Sequence, residues 1–261
     1  MVRRVKGAVA AMAVAALLLV ATPADAARGA RWLNEADLRK LGLQLKDVPA
    51  ALKQGKKKMR SGYLADSRAL GPFVCDSGGA EPLYGPQPQA ESVNWLQSKA
   101  STGTPGVDGQ KTKWLVRSSI YQYGSAKAAK RAYKKTAKQI RKCRLHVDEK
   151  QNIPSIGPYR VRVDYRSHRN KKLYGLRGVT LEHVSRDEGG GSGYHEVVSN
   201  AGSYQTSYRA RASIVTVTLM TSQVTENPKT TSPYGTNPAA GYEAFVDKQA
   251  RKLAKQVKRA S

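Results

Sequence analysis

The chain has 261 residues, with 45 Lys and Arg against 19 Asp and Glu, and its formal net charge is +26 at pH 7. Its 40% of hydrophobic residues, with 13 Tyr among them, are enough for a folded core, so a chain without a core is excluded. So large a positive charge opposes compaction and attracts polyanions, and it therefore constrains the partners more than the fold. A basic surface that is merely solvated is the alternative interpretation.

The first 26 residues have the pattern of an export signal. Three basic residues precede the uncharged apolar run 8–21, and small residues around Ala24 and Ala26 suit a cleavage site. The run is about 14 residues long, shorter than the roughly 20 that a membrane-spanning helix needs. We expect a secreted, extracellular protein that starts at Ala27 after cleavage and then has no transmembrane segment. Retention as a signal anchor is the alternative.

The chain has two cysteines, Cys75 and Cys143. In an oxidising extracellular setting an even cysteine count favours a disulfide, so we expect these two to be joined. In the chain-entropy treatment, closing a loop of about 69 residues stabilises the fold by on the order of 4 kcal/mol. We expect no metal site and no cofactor, because the histidines show no ligand spacing with the cysteines. The four histidines are His146, His168, His183 and His195.

The stretch FVCDSGGAE (73–81) contains the Asp-Ser-Gly-Gly run that surrounds the nucleophilic serine of chymotrypsin-like proteases. A catalytic triad needs a histidine and a carboxylate, which such proteases place before the serine, and no histidine precedes Ser77. The residue before Asp76 is also a cysteine where the protease motif has glycine. Asp, Ser and two Gly favour a tight turn, so we expect a turn here and no catalytic residue.

Residues 27–90 predict short helices and an irregular crossing loop. Asn34 can cap a first helix, and Asp47-Val48-Pro49 can start a second that ends in the lysine run 56–58. The Gly- and Pro-rich segment 78–90 predicts irregular structure.

Residues 91–261 predict the core, in which strands give way to a long helix. SVNWLQSK (92–99) and KWLVRSSIYQY (113–123) alternate with period two and predict a hairpin. Ser125 can cap the helix that follows, whose apolar residues recur every three or four positions up to Cys143. The thiol of Cys143 should therefore face the core side.

Four further strands and a second long helix complete the expected fold. The strands are expected to be joined by hairpins at RNKK, SRDEGGGSG and NAGS, and the helix to follow Asn237-Pro238. Short connections imply an antiparallel sheet. The predicted fold is α+β, with about six strands covered by two long amphipathic helices in the order β-β-α-β-β-β-β-α, and residues 27–261 as one domain. The four strands are expected at 159–166, 174–184, 194–200 and 204–220.

The outward faces of the two long helices are the candidate binding surface. YRVRVDYRSHR also interleaves basic and aromatic residues, as in single-strand nucleic-acid binding, but export removes most nucleic-acid targets. Nucleic acid is therefore not the expected partner, and an anionic cell-envelope polymer or lipid suits the charge better. The candidate residues for this contact are Lys127, Lys130, Lys134, Lys138, Lys248, Lys252 and Lys255.

Three stretches resemble a known family. WLNEADL (32–38), SSIYQYGSAKAAKRAYKKTAKQIRKC (118–143) and YEAFVDKQARKLAKQV (242–257) are similar to the entry, the strand-to-helix motif and the closing helix of actinobacterial extracellular sensor domains of the PknH type. The resemblance implies an α+β sheet flanked by helices, a ligand cleft and a secreted, stand-alone member. Many members have four cysteines, whereas this chain has two. No catalytic residues come with the family.

Together these patterns predict a secreted, non-enzymatic ligand-binding or sensor-like domain of the cell envelope. Its site would be the cleft between the sheet and the helices, and its partner a small ligand or an anionic envelope component. The alternative is a cell-envelope hydrolase, in which His183 or His195 would meet a serine and a carboxylate in one pocket. Nothing in the sequence indicates an oligomeric state.

Overall fold

The computed structural model describes residues 32–56, 58–65, 73–76, 79–82, 88–101, 111–142, 146–153, 157–169, 178–189, 197–226 and 237–261. Four α-helices and ten strands lie in these ranges, together with a 3₁₀ turn at Leu45–Asp47. The helices are α1 (Glu35–Leu41), α2 (Ala50–Lys53), α3 (Ala126–Lys142) and α4 (Glu243–Ala260). The strands are β1 (Arg60–Ala65), β2 (Phe73–Asp76), β3 (Gly79–Pro82), β4 (Ala90–Ser101), β5 (Lys111–Gln122), β6 (His146–Ile153), β7 (Gly157–Arg169), β8 (Gly178–Gly189), β9 (Val197–Ala210) and β10 (Ser213–Glu226).

Eight strands form one antiparallel sheet in the order β1-β4-β5-β10-β9-β8-β7-β6, and β2 pairs with β3 in a second, two-stranded sheet. The predicted α+β class with an antiparallel sheet is confirmed. The main sheet is larger than the expected count of about six strands, and the element order differs from the predicted one. Five strands, not four, lie between α3 and α4, and β1 joins the sheet from the N-terminal segment.

The two sheet strands that the sequence pattern missed, β1 and β6, are the two edges. The sequence of β6, HVDEKQNI, is mostly charged or polar. Charged side chains on an edge strand discourage pairing with other protein chains. The same charged residues interrupt the alternation of apolar and polar residues from which a strand is predicted. β1, β2 and β3 lie in the segment that was expected to hold only short helices and irregular structure, so that expectation is wrong there.

The strands predicted at 194–200 and 204–220 are divided at the wrong place. β9 runs through NAGS, and the chain turns at Arg211 and Ala212 instead. Gly202 is not a turn residue: a Cβ there would collide with Oδ1 of Asn237, so glycine permits the close approach of the segment before α4. Arg211 has φ of 48°, and this left-handed turn carries none of the usual Gly or Asn signal.

The predicted caps of α1 and α3 are confirmed, whereas α4 begins at Glu243, five residues after Pro238. Asn34 Oδ1 accepts from Asp37 N at 2.8 Å, and Ser125 Oγ accepts from Ala128 N at 3.1 Å, so both side chains satisfy free N–H groups at helix starts. α2 begins directly after Pro49 but ends at Lys53, before the lysine run.

The long helices lie on opposite faces of the sheet. We call the face of β10 that carries Val215, Val217 and Leu219 the front face, and they pack in one cluster with Val246, Ala250, Leu253 and Val257 of α4. Their neighbour Ile214 points to the back face and packs with Tyr121, Ala129 and Ala132, so α3 covers that side. Leucines of the N-terminal segment belong to the front cluster: Leu33, Leu38, Leu43 and Leu52.

Polar side chains on the front face of β4 and β5 hold the backbone of residues 33–52. Gln122 makes two reciprocal bonds, in which its Nε2 donates to Leu33 O and its Oε1 accepts from Leu33 N, both at 3.1 Å. Ser118 Oγ accepts from Leu43 N at 2.8 Å, and Ser98 Oγ donates to Leu52 O at 2.8 Å. Buried backbone groups need hydrogen-bond partners. Residues 33–52 do not pair as a strand, so these side chains supply the hydrogen bonds that a neighbouring strand would otherwise provide.

Cys75 lies in β2, and α3 lies against β2. Cys143 and Ser77 fall outside the described residues, as does the side chain of Cys75. β2 and β3 pair antiparallel with Asp76 opposite Gly79. The disulfide stays a prediction. The described structure shows that β2, which contains Cys75, lies against α3, which ends at Lys142.

We predict that peptide mapping of the exported protein under non-reducing conditions yields a peptide pair joined through Cys75 and Cys143. Reduction should then lower the free energy of unfolding by on the order of 4 kcal/mol, because the unfolded chain gains loop entropy. A Cys75→Ser, Cys143→Ser double variant should not respond to reductant. Two free thiols in the exported protein would contradict the predicted bridge.

Gln122→Met should lower the free energy of unfolding by about 2–6 kcal/mol, because two buried backbone groups of Leu33 lose their partners at about 1–3 kcal/mol each. Gln122 is only 2% exposed, so water cannot replace the bonds without opening the core. Urea denaturation measures the loss. Gln97→Met, on an exposed position of β4, is the matched control and should change stability by less than about 0.5 kcal/mol.

Candidate functional site

The lysines predicted to bind an anionic partner fall into two separate groups. Lys127, Lys130, Lys134 and Lys138 are exposed on α3, while Lys248 and Lys252 are exposed on α4 and Lys255 is partly buried there. Since α3 covers the back face of the sheet and α4 the front face, the two groups point to opposite sides of the molecule. One flat anionic surface cannot contact both groups at once.

The charges of α4 are partly balanced within the protein. Lys252 Nζ lies 2.5 Å from Oδ1 of Asp47, and Arg251 pairs with Asp247 at 2.7 Å. Arg251 Nε also donates to the Tyr208 hydroxyl at 2.8 Å, and that hydroxyl donates to Asp247 at 2.7 Å. These contacts tie α4 to β9 and to the 3₁₀ turn, so several cations of α4 already serve the fold.

α3 differs because it contains no acidic residue. Its 17 residues, AKAAKRAYKKTAKQIRK, include basic residues at three- and four-residue steps along the outer side. Residues spaced in this way share one helix face. Within the described residues, the four predicted lysines of α3 form no ion pair. We call six of the exposed basic residues the α3 cationic face: Lys127, Lys130, Arg131, Lys134, Lys138 and Arg141.

Among the described residues, only a narrow gap separates α4 and α1 from the front side of the sheet, where a cleft was expected. The gap between α4, α1 and the sheet measures only about 10 Å³ and is lined by Leu43, Ser118, Lys252 and Leu253, among others. A single water needs about this much space, so the gap cannot take an organic ligand.

A buried acid lies on the back face beside the part that α3 covers. Glu91 of β4 is 2% exposed and pairs with Arg117 of β5, whose Nη2 lies 2.9 Å from Glu91 Oε1. Burial raises the pKa of Glu91, and Arg117 opposes this effect only in part. The second oxygen, Oε2, is buried without a hydrogen-bond partner among the described residues. Burial, and next the nearby Glu91 carboxylate, also raise the pKa of Tyr121, so its hydroxyl stays protonated.

This buried group resembles a catalytic acid only in its pKa. A raised carboxyl pKa marks many active sites, but a general acid must also reach its substrate. Glu91 is closed to solvent, and its charged neighbour is Arg117 rather than a second carboxylate. The side chain of His183 and all of His195 lie outside the described residues, so the geometry expected for a hydrolase does not fall on described positions.

A second polar cluster lies on the front face at the start of α4. The Tyr204 hydroxyl is 3.1 Å from Glu182 Oε1 and 3.3 Å from Glu243 Oε1, and Asn237 Nδ2 donates to Glu182 at 3.4 Å. Burial, and then the two carboxylates, raise the pKa of Tyr204, which keeps it a donor at neutral pH. The cluster therefore fixes the first turn of α4 on β8 and β9.

Comparisons with known protein families and with curated proteins add nothing to this geometry. No protein-family model matches the chain, and no curated protein matches it. In the described ranges, no three or more His, Cys, Asp or Glu residues cluster as a metal site would require. No helix in the same ranges is both long and apolar enough to cross a membrane.

The sequence analysis missed two features of the site. One is the buried Glu91–Arg117 pair, and the other is that α3 differs from α4 in having no acidic residue. The pair could have been found from the β4–β5 hairpin, because period-two alternation places Glu91, Trp95 and Arg117 on one face once the register is known. The number of residues between β4 and β5 (102–110) does not by itself specify this register.

Glu91→Gln should remove a pH dependence of stability. The pKa of Glu91 is higher in the folded protein than its ordinary value of 4.5, so the stability that the neutral acid contributes is present below pH 4.5 and is lost as the pH rises through the folded-state pKa. The free energy of unfolding of the native protein, from urea titrations between roughly pH 4 and pH 8, should fall relative to the variant. Arg117→Met should enlarge the fall, and a constant difference would contradict the assignment.

Proposed function

We propose that the protein is a secreted, non-enzymatic binding module of the cell envelope whose α3 cationic face binds an anionic envelope component. The observation that carries the proposal is the outer side of α3, where exposed basic residues follow one another with no acid in the helix. α4 has a similar length but carries Glu243 and Asp247, and its Arg251 and Lys252 have carboxylate partners.

The physical reason is that like charges on one helix face repel each other. Each like-charge pair at three- or four-residue spacing costs about 0.2–0.5 kcal/mol in an isolated helix. From Lys127 to Lys138 the face extends about 16 Å at 1.5 Å per residue, which is long enough to meet several charges of a polymer or a lipid surface. A polyanion would neutralise these charges and relieve their repulsion.

Secretion and the relationship to PknH-type sensor domains are parts of this proposal. Residues 1–26 support secretion by their basic start, apolar run and small residues before the cleavage position. The relationship is supported by the three stretches that resemble the family. An envelope location would place the α3 cationic face beside the anionic polymers and lipids that it suits.

The test compares two variants with the same loss of charge. Lys127→Gln, Lys130→Gln, Lys134→Gln on α3 should weaken binding to polyphosphate and to phosphatidylglycerol vesicles by about tenfold or more, since hydrogen bonds to charged groups contribute about 1.5–3 kcal/mol each. Lys248→Gln, Lys258→Gln, Arg259→Gln, at exposed positions of α4, is the matched control. Isothermal titration calorimetry and vesicle sedimentation give the affinities.

The salt dependence of the binding affinity is the second measurement. For polyanions such as nucleic acids, the slope of log affinity against log salt changes by roughly 0.7–0.9 for each phosphate that the protein neutralises. The α3 variant neutralises fewer phosphates, so its slope should be shallower than that of the control. Equal effects of the two variants would mean that net charge, and not the α3 cationic face, determines binding. Binding that does not change with salt would contradict the proposal.

A further inference from the structure

A depression of about 1060 Å³ lies at the β1 edge of the sheet, away from α3. It forms where β4 continues beyond the start of β1: Arg60, the first residue of β1, lies opposite Trp95, and within the described residues no strand pairs with the outer edge of β4 beyond that point. The segment between α2 and β1 bounds the other side. The described residues that line it include Gln54, Lys56, Lys58, Arg60 and Trp95.

The depression is strongly cationic. Lys56, Lys58 and Arg60 line it and are exposed, and none of them pairs with a carboxylate among the described residues. Among the described residues that line it, none is acidic. Near the opening, Arg39 Nη1 donates to Ser61 Oγ at 2.7 Å, but Glu35 already pairs with this guanidinium, so Lys56, Lys58 and Arg60 carry the positive charge of the depression. An anion entering here would meet positive charge and no competing carboxylate of the lining.

Trp95 provides an aromatic surface within the same depression. Its indole lies over Gly62 of β1, since a Cβ at Gly62 would be 3.4 Å from Cζ3 and 3.7 Å from Cη2 of the ring. In the sheet register Trp95 has Arg60 opposite it on one side and Arg117 opposite it on the other. The ring is only partly buried, so a flat apolar surface lies between two guanidinium-bearing positions. Since Arg117 already pairs with Glu91, Arg60 is the cation available beside the ring, and a tryptophan beside a cation suits a ring that carries negative charge.

Gln54 adds an unsatisfied acceptor to this surface. Its Oε1 is buried and has no hydrogen-bond partner among the described residues, and its backbone is left-handed, with φ of 38°. A non-glycine residue in this conformation is strained, and glycine is the usual residue at the end of a helix such as α2. A buried acceptor without a donor also destabilises the fold. The second cost would be offset if the side chain turns Oε1 toward the depression and receives a hydroxyl or N–H group from a ligand there.

We propose that this depression binds a small ring-bearing anion, which stacks its ring on Trp95, places its phosphate or carboxylate among Lys56, Lys58 and Arg60, and donates a hydrogen bond to Gln54 Oε1. The volume lies slightly above the usual range for small-molecule pockets, about 300–1,000 Å³, so a ring with one charged group fits. The site goes beyond the proposed function, because no residue of α3 lines it.

The first experiment uses the full-length protein and defined probes. Adenosine monophosphate presents an aromatic ring and glucose 6-phosphate a sugar ring, with adenosine, glucose and inorganic phosphate as partial ligands. Calorimetry should show that at least one ring-bearing phosphate binds about tenfold or more tightly than each of its parts, because the ring and the charge contact separate groups. Whichever of the two probes binds more tightly shows whether the ligand carries an aromatic ring or a sugar ring. If inorganic phosphate binds as tightly as both probes, the proposal is overturned.

The second experiment uses variants matched in charge. Lys56→Gln, Lys58→Gln should weaken binding of the bound probe by about tenfold or more, whereas Lys127→Gln, Lys130→Gln on α3 should change it by less than about twofold. The reverse pattern is expected for polyphosphate under the proposed function, so the two proposals fail independently. Equal weakening of probe binding by both pairs would show attraction to net charge only and would overturn the site.

Gln54→Gly separates a binding role from a structural one. Glycine adopts φ of 38° without strain, so this variant should unfold at the same or a higher urea concentration while its affinity for the probe falls about fivefold or more. Trp95→Leu, which keeps an apolar cover over Gly62, should abolish the preference for a ring over inorganic phosphate. Unchanged probe affinity in both variants would exclude the assigned contacts.

Discussion

The pairing of β10 with β5 on one side and β9 on the other is the constraint on which the rest of the structure depends. Both ladders run along nearly the whole of Ser213–Glu226. Because successive side chains alternate, a slip of one residue would place Thr216 and Thr218 under α4 and turn Val215 and Val217 to the back face. The apolar surface of α4 fits only one register of β10. Through strand pairing, that register determines which side chains of the other strands, out to β1 and β6, lie on the front face.

The two faces that result have different chemistry. The front face is apolar where it meets α4 and polar on β4 and β5, where Gln122, Ser118 and Ser98 hold the backbone of residues 33–52. The back face carries α3, the buried Glu91–Arg117 pair and, at the β1 edge, Trp95 between two arginine positions. The α3 cationic face and the edge depression are therefore distinct surfaces, so a polymer and a small ligand could be bound without competing for the same residues.

Sequence patterns predicted the parts of the fold whose signal is local. The hairpin β4–β5, the helices α3 and α4 and the caps at Asn34 and Ser125 follow from alternation, helical spacing and capping chemistry. They failed where a residue serves a distant contact. Gly202 permits the approach of Asn237 and so looked like a turn, and the charged residues of β6 protect an edge and so hid a strand.

The sequence by itself determined the α+β class, the basic outer side of α3 and the excess of positive charge, because composition and periodicity are properties of neighbouring residues. Only the tertiary structure decided that the lysines of α3 and α4 face opposite sides, that Glu91 is buried beside Arg117, and that Gln54, Arg60 and Trp95 line one depression. Those facts depend on strand register and on which helix covers which face, and both are set by packing between segments that lie far apart in the chain.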